Sequence, residues 1–150
     1  MHFFNPAYLM KLVEVVKGDQ TNDEIAKTIY DLCKEMDKVP VLCKDSPGFI
    51  VNRVARHYYL ESLKIVEEGI ASFEDVDKIL EASGFKMGPF KLMDLIGMDI
   101  NLAVSQSIYE GFDKVERFTL SSLQERKVKD GELGKKTGKG FYDYENKLEY

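Results

Sequence analysis

The change of pattern near Asp45 constrains the fold of this chain more than any other sequence feature. Before it, two β-branched runs at residues 11–16 and 40–43 flank one predicted helix, which a Thr21–Glu24 capping box should open and which should end near Lys38. After it, the apolar residues follow helical spacing. One β-α-β unit has too few strands to form a stable sheet alone, so the pattern predicts a mainly helical chain preceded by a piece of α/β structure.

The helical part should begin with one long helix. Ser46 can cap it, Pro47 suits its first position, and it should run to about Glu68 and stop at Gly69. Further helices are predicted to begin at Ser72, Pro89, Asp99 and Ser121, the last with Gln124 in a capping box, and to end near Gly84, Leu95, Gly111 and Gly131. The sequence divides on this basis into residues 1–45 and 46–150.

Composition excludes several classes of protein. The 150 residues are 44% hydrophobic and 31% charged, which is typical of a globular chain, and 21 basic against 26 acidic residues leave a net charge of −5. That charge argues against a nucleic-acid binder. We find neither an apolar run of membrane-spanning length nor a signal peptide, and two cysteines, Cys33 and Cys43, are typical of reduced thiols in a cytoplasmic protein.

His2 and Glu14 are the first candidates for chemistry. If the segments around Phe3 and Leu12 pair as antiparallel strands, residue 2 faces residue 14, and a carboxylate would then orient an imidazole as in a general base. Spacing alone favours the simpler interpretation, a frayed terminal histidine and a surface glutamate. Asn52, early in the long helix, could bind a substrate oxygen or simply face water.

The remaining sequence features give little support to a phosphate, dinucleotide or metal site. The stretch at residues 134–140, rich in Gly and Lys, lacks the spacing of a phosphate loop and is as well explained by a turn with solvated lysines. The chain also contains no Gly-x-Gly-x-x-Gly fingerprint, so no cofactor-binding residues are predicted. His57 is interpreted as a helix-face residue, and two histidines without clustered acids make a metal site an unattractive hypothesis.

Four segments together resemble the C-terminal part of the 3-hydroxyacyl-CoA dehydrogenases, of the 3-hydroxybutyryl-CoA dehydrogenase type. HFFNP at residues 2–6, followed by MKLVEV at 10–15, resembles the catalytic segment of that family. KDSPGFIVNR at 44–53 is similar to the segment that joins its two domains, while MGPFKLMDLIG at 87–97 and KTGKGFY at 136–142 resemble two later segments. The segments occur in family order and cover most of the chain.

The resemblance implies an NAD-dependent oxidoreductase of fatty-acid metabolism that oxidises 3-hydroxyacyl-CoA to 3-oxoacyl-CoA. His2 would be the catalytic base that takes the proton of the 3-hydroxyl as hydride leaves for NAD, Glu14 would orient it, and Asn52 would bind the substrate oxygen. Residues 1–45 would be the end of a Rossmann-type dinucleotide-binding domain, and the helical domain at 46–150 would form a homodimer contact. The acyl-CoA would lie between the two domains.

The resemblance also implies that most of the NAD-binding domain is missing. We therefore expect the chain to be inactive alone, as a truncated fragment or as a subunit completed by a separate NAD-binding chain. The alternative is a non-catalytic helical module for dimerisation or CoA binding, and related sugar-acid dehydrogenases are a further possibility. The strands of residues 1–45 would have open edges, which should pair across a dimer, rearrange or fray.

Overall fold

The computed structural model describes residues 1–144, which form six α-helices and a three-stranded sheet. Contacts group the chain into two compact units, Met1–Arg53 and Val54–Tyr150. The chain is mainly helical with a short β-α-β piece at its N-terminal end, as the sequence predicts. The domain division after residue 45 was drawn from sequence pattern and stays a prediction.

The first unit is a small sheet covered by one helix. The order of its strands is β1-β2-β3, with β1 antiparallel to β2 and β2 parallel to β3. The outer edges belong to β1 and β3. The expectation that such edges pair across a dimer, rearrange or fray stays a prediction. The elements are β1 (His2–Phe3), β2 (Leu12–Lys17), α1 (Asp23–Glu35) and β3 (Val39–Lys44).

Helix α1 begins one residue later than the capping box predicts. The cap is Asn22 rather than Thr21, because the Asn22 side chain accepts the backbone N–H of Ile25 at 2.8 Å. Asparagine is among the strongest caps, so it displaces the neighbouring threonine. The helix packs Cys33 against Val13 and Val15 of β2 and thereby forms the core of this unit.

Helix α2 (Val51–Glu67) begins four residues after Pro47, its predicted first position. The intervening residues form a turn in which Gly48 and Phe49 have φ values of 74° and 45°. These left-handed conformations cannot belong to a right-handed α-helix, so the helix can begin only after them. Its predicted stop at Gly69 is close to the observed end.

The second unit continues α2 and adds the remaining helices. Ser72 and Ser121 cap their helices as predicted. Asp99 does not cap: Gly97 precedes the helix, and Asp99 lies in its first turn, paired with Lys136 at 2.5 Å. The helices are α3 (Phe73–Ala82), α4 (Pro89–Ile96), α5 (Met98–Gly111) and α6 (Ser122–Lys129), with 3-10 turns at Glu116–Phe118 and Lys135–Thr137.

The Gly-Lys stretch has a structural role around the buried carboxylate of Asp94. One carboxylate oxygen accepts the backbone N–H of Phe141 and the other that of Tyr142, both at 2.9 Å. A Cβ on Gly140 would lie 2.1 Å from the same carboxylate, and one on Gly134 would lie 2.3 Å from the Asp94 carbonyl oxygen. Both glycines are therefore required for close packing on α4. Residues 145–150 of the tail lie outside the described residues.

Among residues 1–144, no helix is long and apolar enough to cross a membrane. The same residues contain no group of three or more His, Cys, Asp or Glu side chains placed to hold a metal ion.

Candidate active site

His2 and Glu14 meet on adjacent strands, as the antiparallel pairing predicts. The register places His2 directly opposite Glu14, and Nδ1 of the imidazole lies 2.8 Å from Oε2 of the carboxylate. The Glu14 side chain is 1% exposed, whereas that of His2 is 33% exposed. A buried carboxylate thus holds an imidazole that a molecule from solution can still reach.

The second oxygen of Glu14 binds the start of helix α2. Oε1 accepts the backbone N–H groups of Ile50 and Val51, each at 2.9 Å. The first N–H groups of a helix have no partner within the helix, so a carboxylate is a favourable acceptor for them. Because both carboxylate oxygens are engaged, the plane of the Glu14 carboxylate is fixed from two sides.

Two aromatic rings contact the His2 imidazole. The Phe4 ring lies 4.9 Å from it at an interplanar angle of 68°, and the Phe49 ring lies 5.3 Å away at 61°. Both arrangements are of the edge-to-face kind that aromatic pairs favour. The imidazole is therefore held by one hydrogen bond and two ring contacts.

The arrangement suits transfer of a proton at Nε2. When Nδ1 donates to a carboxylate, a neutral imidazole carries its proton there, and the lone pair is on Nε2. The carboxylate also stabilises the imidazolium that forms when Nε2 takes a proton. A histidine held in this way can act as a base in one direction of a reaction and as an acid in the other.

The other histidine and the predicted amide occupy different positions. Asn52 is the second residue of α2 and is half-buried, directly after the two N–H groups that Glu14 binds. Its predicted contact with substrate stays a prediction. His57 lies further along α2, is exposed, and stacks on Phe118 with 5.1 Å between ring centroids.

The first unit does not fit the pyrophosphate of a dinucleotide. Such groups bind at a strand-to-helix turn with several glycines, where backbone N–H groups face the phosphates. Here the turn from β2 to α1 contains one glycine, Gly18, and Asn22 occupies the helix N-terminus. Asp23 and Glu24 in the first turn of the helix would repel phosphate as well.

Sequence reasoning missed the turn that precedes α2. It interpreted Pro47 as the first residue of a helix, whereas residues 47–50 form the turn that places Phe49 beside His2 and the next two N–H groups on Glu14. The adjacent Pro47 and Gly48 were the available signal, because Pro-Gly pairs favour turns.

Two family models match the chain. The one described as 3-hydroxyacyl-CoA dehydrogenase, C-terminal domain, matches residues 48–144, and the one described as 3-hydroxyacyl-CoA dehydrogenase, NAD binding domain, matches residues 1–46. Together they account for nearly all of the described residues.

Similar proteins carry related names. A 3-hydroxyadipyl-CoA dehydrogenase of Escherichia coli K12 is 48% identical over 145 residues, which are 96% of this chain and 30% of that protein. The mitochondrial hydroxyacyl-coenzyme A dehydrogenase of Rattus norvegicus is 42% identical over 96% of this chain and 46% of its own length. The chain thus spans about a third to a half of the curated relatives it matches.

Solved structures agree in fold. A crystal structure of 3-hydroxybutyryl-CoA dehydrogenase from E. coli K12 superposes with a TM-score of 0.95 at 47% identity, covering 99% of this chain and 32% of that one. The (S)-3-hydroxybutyryl-CoA dehydrogenase of Ralstonia eutropha gives a TM-score of 0.92 at 39% identity, over 96% of this chain and 51% of that one.

Proposed function

Because this chain belongs to the 3-hydroxyacyl-CoA dehydrogenase family, we propose that it supplies the proton-transfer side of the oxidation of 3-hydroxyacyl-CoA to 3-oxoacyl-CoA. The observation that carries the proposal is the 2.8 Å contact between a partly exposed imidazole and a buried carboxylate. That arrangement is suited to general acid–base chemistry.

The residues of the chain have distinct roles in this proposal. His2 takes the proton of the substrate 3-hydroxyl on Nε2, and Glu14 orients the ring and stabilises its protonated form. In the reverse reaction His2 returns the proton to the carbonyl oxygen. Asn52 donates a hydrogen bond to the same substrate oxygen from its amide and thereby favours the charge that develops there.

NAD accepts the hydride in this family, and residues beyond those of this chain would have to hold it. The β2–α1 turn, with Gly18 alone and acidic Asp23 and Glu24, does not suit the cofactor. We therefore propose that the chain by itself neither binds NAD nor turns over substrate, and that it works with an NAD-binding domain, on the same or on a separate polypeptide.

Reconstitution tests this proposal. The chain is assayed with acetoacetyl-CoA and NADH at 340 nm, first alone and then with the separately expressed NAD-binding domain of the E. coli relative. We expect turnover only in the mixture, and calorimetry should show no NAD binding to the chain alone. Turnover by the chain alone would contradict the account, and a mixture that binds NAD but stays inactive would favour the non-catalytic alternative.

That alternative, a helical module for dimerisation, is favoured by one feature of the second unit. A groove of about 460 Å³ between α2 and α3 exposes mainly apolar surface, to which Ile65, Val76, Leu80 and the 63% exposed Ile79 contribute. Exposed apolar surface of this kind is typical of an interface. Dimerisation through this groove is compatible with the catalytic proposal. We therefore propose that the chain also forms a homodimer.

We also place the protein in the cytoplasm. The support is that Cys33 and Cys43 are both free thiols, which a reducing compartment maintains. Burial raises the pKa of Cys43, so this thiol is less reactive than an exposed one.

A further inference from the structure

Phe49 has an unusual backbone conformation for an aromatic residue. Its φ is 45°, in the left-handed region that bulky side chains rarely adopt. The other non-glycine residues with positive φ among those described are Asp37, Asp113 and Lys114, so Phe49 is the one aromatic residue among them. A conformation that costs free energy persists where the surrounding structure enforces it, and such positions cluster at functional sites.

The strained turn has two structural consequences at the same place. The Phe49 N–H donates to the carbonyl oxygen of Ser46 at 2.9 Å, which closes the turn. The chain then leaves the turn with the N–H groups of Ile50 and Val51 on Glu14, while the Phe49 ring lies against His2. One turn therefore contacts both members of the imidazole–carboxylate pair, the carboxylate by its backbone and the imidazole by a side chain.

We propose that Phe49 is a positioning residue for His2. Its ring, together with that of Phe4, confines the imidazole to the orientation in which Nδ1 meets Glu14 and Nε2 is available for proton transfer. This inference rests on the proposed function, because it assigns a role within the same site. Phe49 acts through His2 and is not itself a catalytic residue.

A hydrogen bond at Nδ1 alone would not fix the imidazole. The torsion that rotates a histidine ring has broad minima and roughly two-fold symmetry, so the ring can rotate away from the carboxylate and expose either nitrogen. Edge-to-face contacts from Phe4 and Phe49 oppose that rotation, since a turned ring would lose both. Confinement matters for catalysis because the rate depends steeply on the geometry of the reacting groups.

The two histidines of the chain make this testable by nitrogen NMR without substrate or cofactor. The chain is labelled with ¹⁵N-histidine, and the tautomer ratio of His2 is measured at a pH at which histidine rings are neutral. His57, which stacks on Phe118 in the second unit, is the internal reference. In the unaltered chain, the tautomer protonated at Nδ1 should predominate for His2.

Phe49→Asn removes the ring and keeps a residue that tolerates positive φ. We expect the ratio of the Nδ1-protonated to the Nε2-protonated tautomer of His2 to fall about 2- to 10-fold, which corresponds to the interaction of one aromatic pair. The His57 signals should not move. Phe49→Tyr, which keeps an aromatic ring, should leave the tautomer ratio of the unaltered chain unchanged. Phe3→Leu is the matched control, because Phe3 is an adjacent partly exposed aromatic residue without a ring contact to His2 among the described residues.

An unchanged His2 ratio in Phe49→Asn, or an equal change in Phe3→Leu, would overturn the assignment. Should Phe49→Asn fail to fold, as judged by circular dichroism and the His57 signals, Phe49→Leu provides the same test with an aliphatic side chain. Because this measurement uses neither NAD nor acyl-CoA, its failure is distinct from a failure of the reconstituted reaction. If the reconstituted enzyme is active, Phe49→Asn should lower kcat about tenfold and change KM little.

Discussion

Glu14 both orients His2 and stabilises the fold of the first unit. Its carboxylate is almost fully buried and accepts hydrogen bonds from one side chain and two backbone N–H groups. Removing this acceptor leaves three part-buried donors without their partner, which costs more than the hydrogen bonds themselves contribute.

We therefore predict that Glu14→Ala destabilises the fold by about 3 kcal/mol, through the unpaired donors that remain. Glu24→Ala, at an exposed site on α1, is the control and should change the free energy of unfolding by less than about 1 kcal/mol. Urea unfolding followed by circular dichroism measures both. Equal effects of the two substitutions would show that Glu14 does not hold the start of α2.

Glu67 should make the free energy of unfolding depend on pH in the acidic range. Burial raises its pKa, but hydrogen bonds from the Leu123 N–H and from the hydroxyls of Ser122 and Ser121 outweigh burial, so the pKa lies below its ordinary value of 4.5. A group whose pKa is lowered by folding stabilises the protein above its unfolded pKa, and that contribution is lost as the pH falls through the folded pKa.

The expected result is a urea midpoint that declines as the pH falls below 4.5. Glu67→Gln should show a smaller decline over the same range, because an amide does not titrate. The exposed Glu110→Gln is the matched control and should follow the unaltered protein. A Glu67→Gln protein with the same acid sensitivity as the unaltered one would refute this linkage.

At the scale of elements, the segment after α6 is fixed by packing on α4. Gly140 lies so close to Asp94 that an added Cβ would overlap its carboxylate. Gly140→Ala should therefore displace Asp94 from the Phe141 and Tyr142 N–H groups and cost about 3 kcal/mol. Gly18→Ala, whose Cβ would meet one atom at 3.9 Å, should be close to neutral. Thermal unfolding of both variants measures the difference, and similar melting temperatures would contradict the packing argument.

Most elements could be predicted because their signals are local. The pairing of residues 2 and 14 follows from two short β runs, and Ser72 and Ser121 cap their helices through contacts within three residues. The start of α2 could not be predicted from local signals. It depends on the carboxylate of Glu14, more than thirty residues earlier in the chain, and on a left-handed Phe49 that propensity disfavours.

The Gly-Lys stretch at residues 134–140 contains a turn with exposed lysines, as the sequence predicts. The local pattern could not show that two of its glycines pack against Asp94, some forty residues away along the sequence. Spacing predicts the imidazole and the carboxylate of the candidate site but not the rings of Phe4 and Phe49 that contact the imidazole.

At the scale of the whole molecule, we expect the second unit to associate through its apolar groove. Ile79→Asp places a charge on that surface and should convert a dimer into a monomer in sedimentation velocity experiments, because a charge buried at an interface is costly. Glu110→Lys, a charge change at an exposed residue of α5, is the control. A monomeric unaltered protein, or a dimer that survives Ile79→Asp, would contradict an interface at this groove.

The whole account depends on His2 being the group that exchanges a proton with substrate, and the two histidines allow a direct comparison. The measurement is turnover of acetoacetyl-CoA at 340 nm by the chain reconstituted with an NAD-binding domain, for the unaltered chain, His2→Ala and His57→Ala. We predict that His2→Ala lowers kcat at least about 100-fold, as expected for loss of a general acid, and that His57→Ala retains most of the activity. Turnover that survives in His2→Ala would contradict the assignment of this pair as the proton-transfer site.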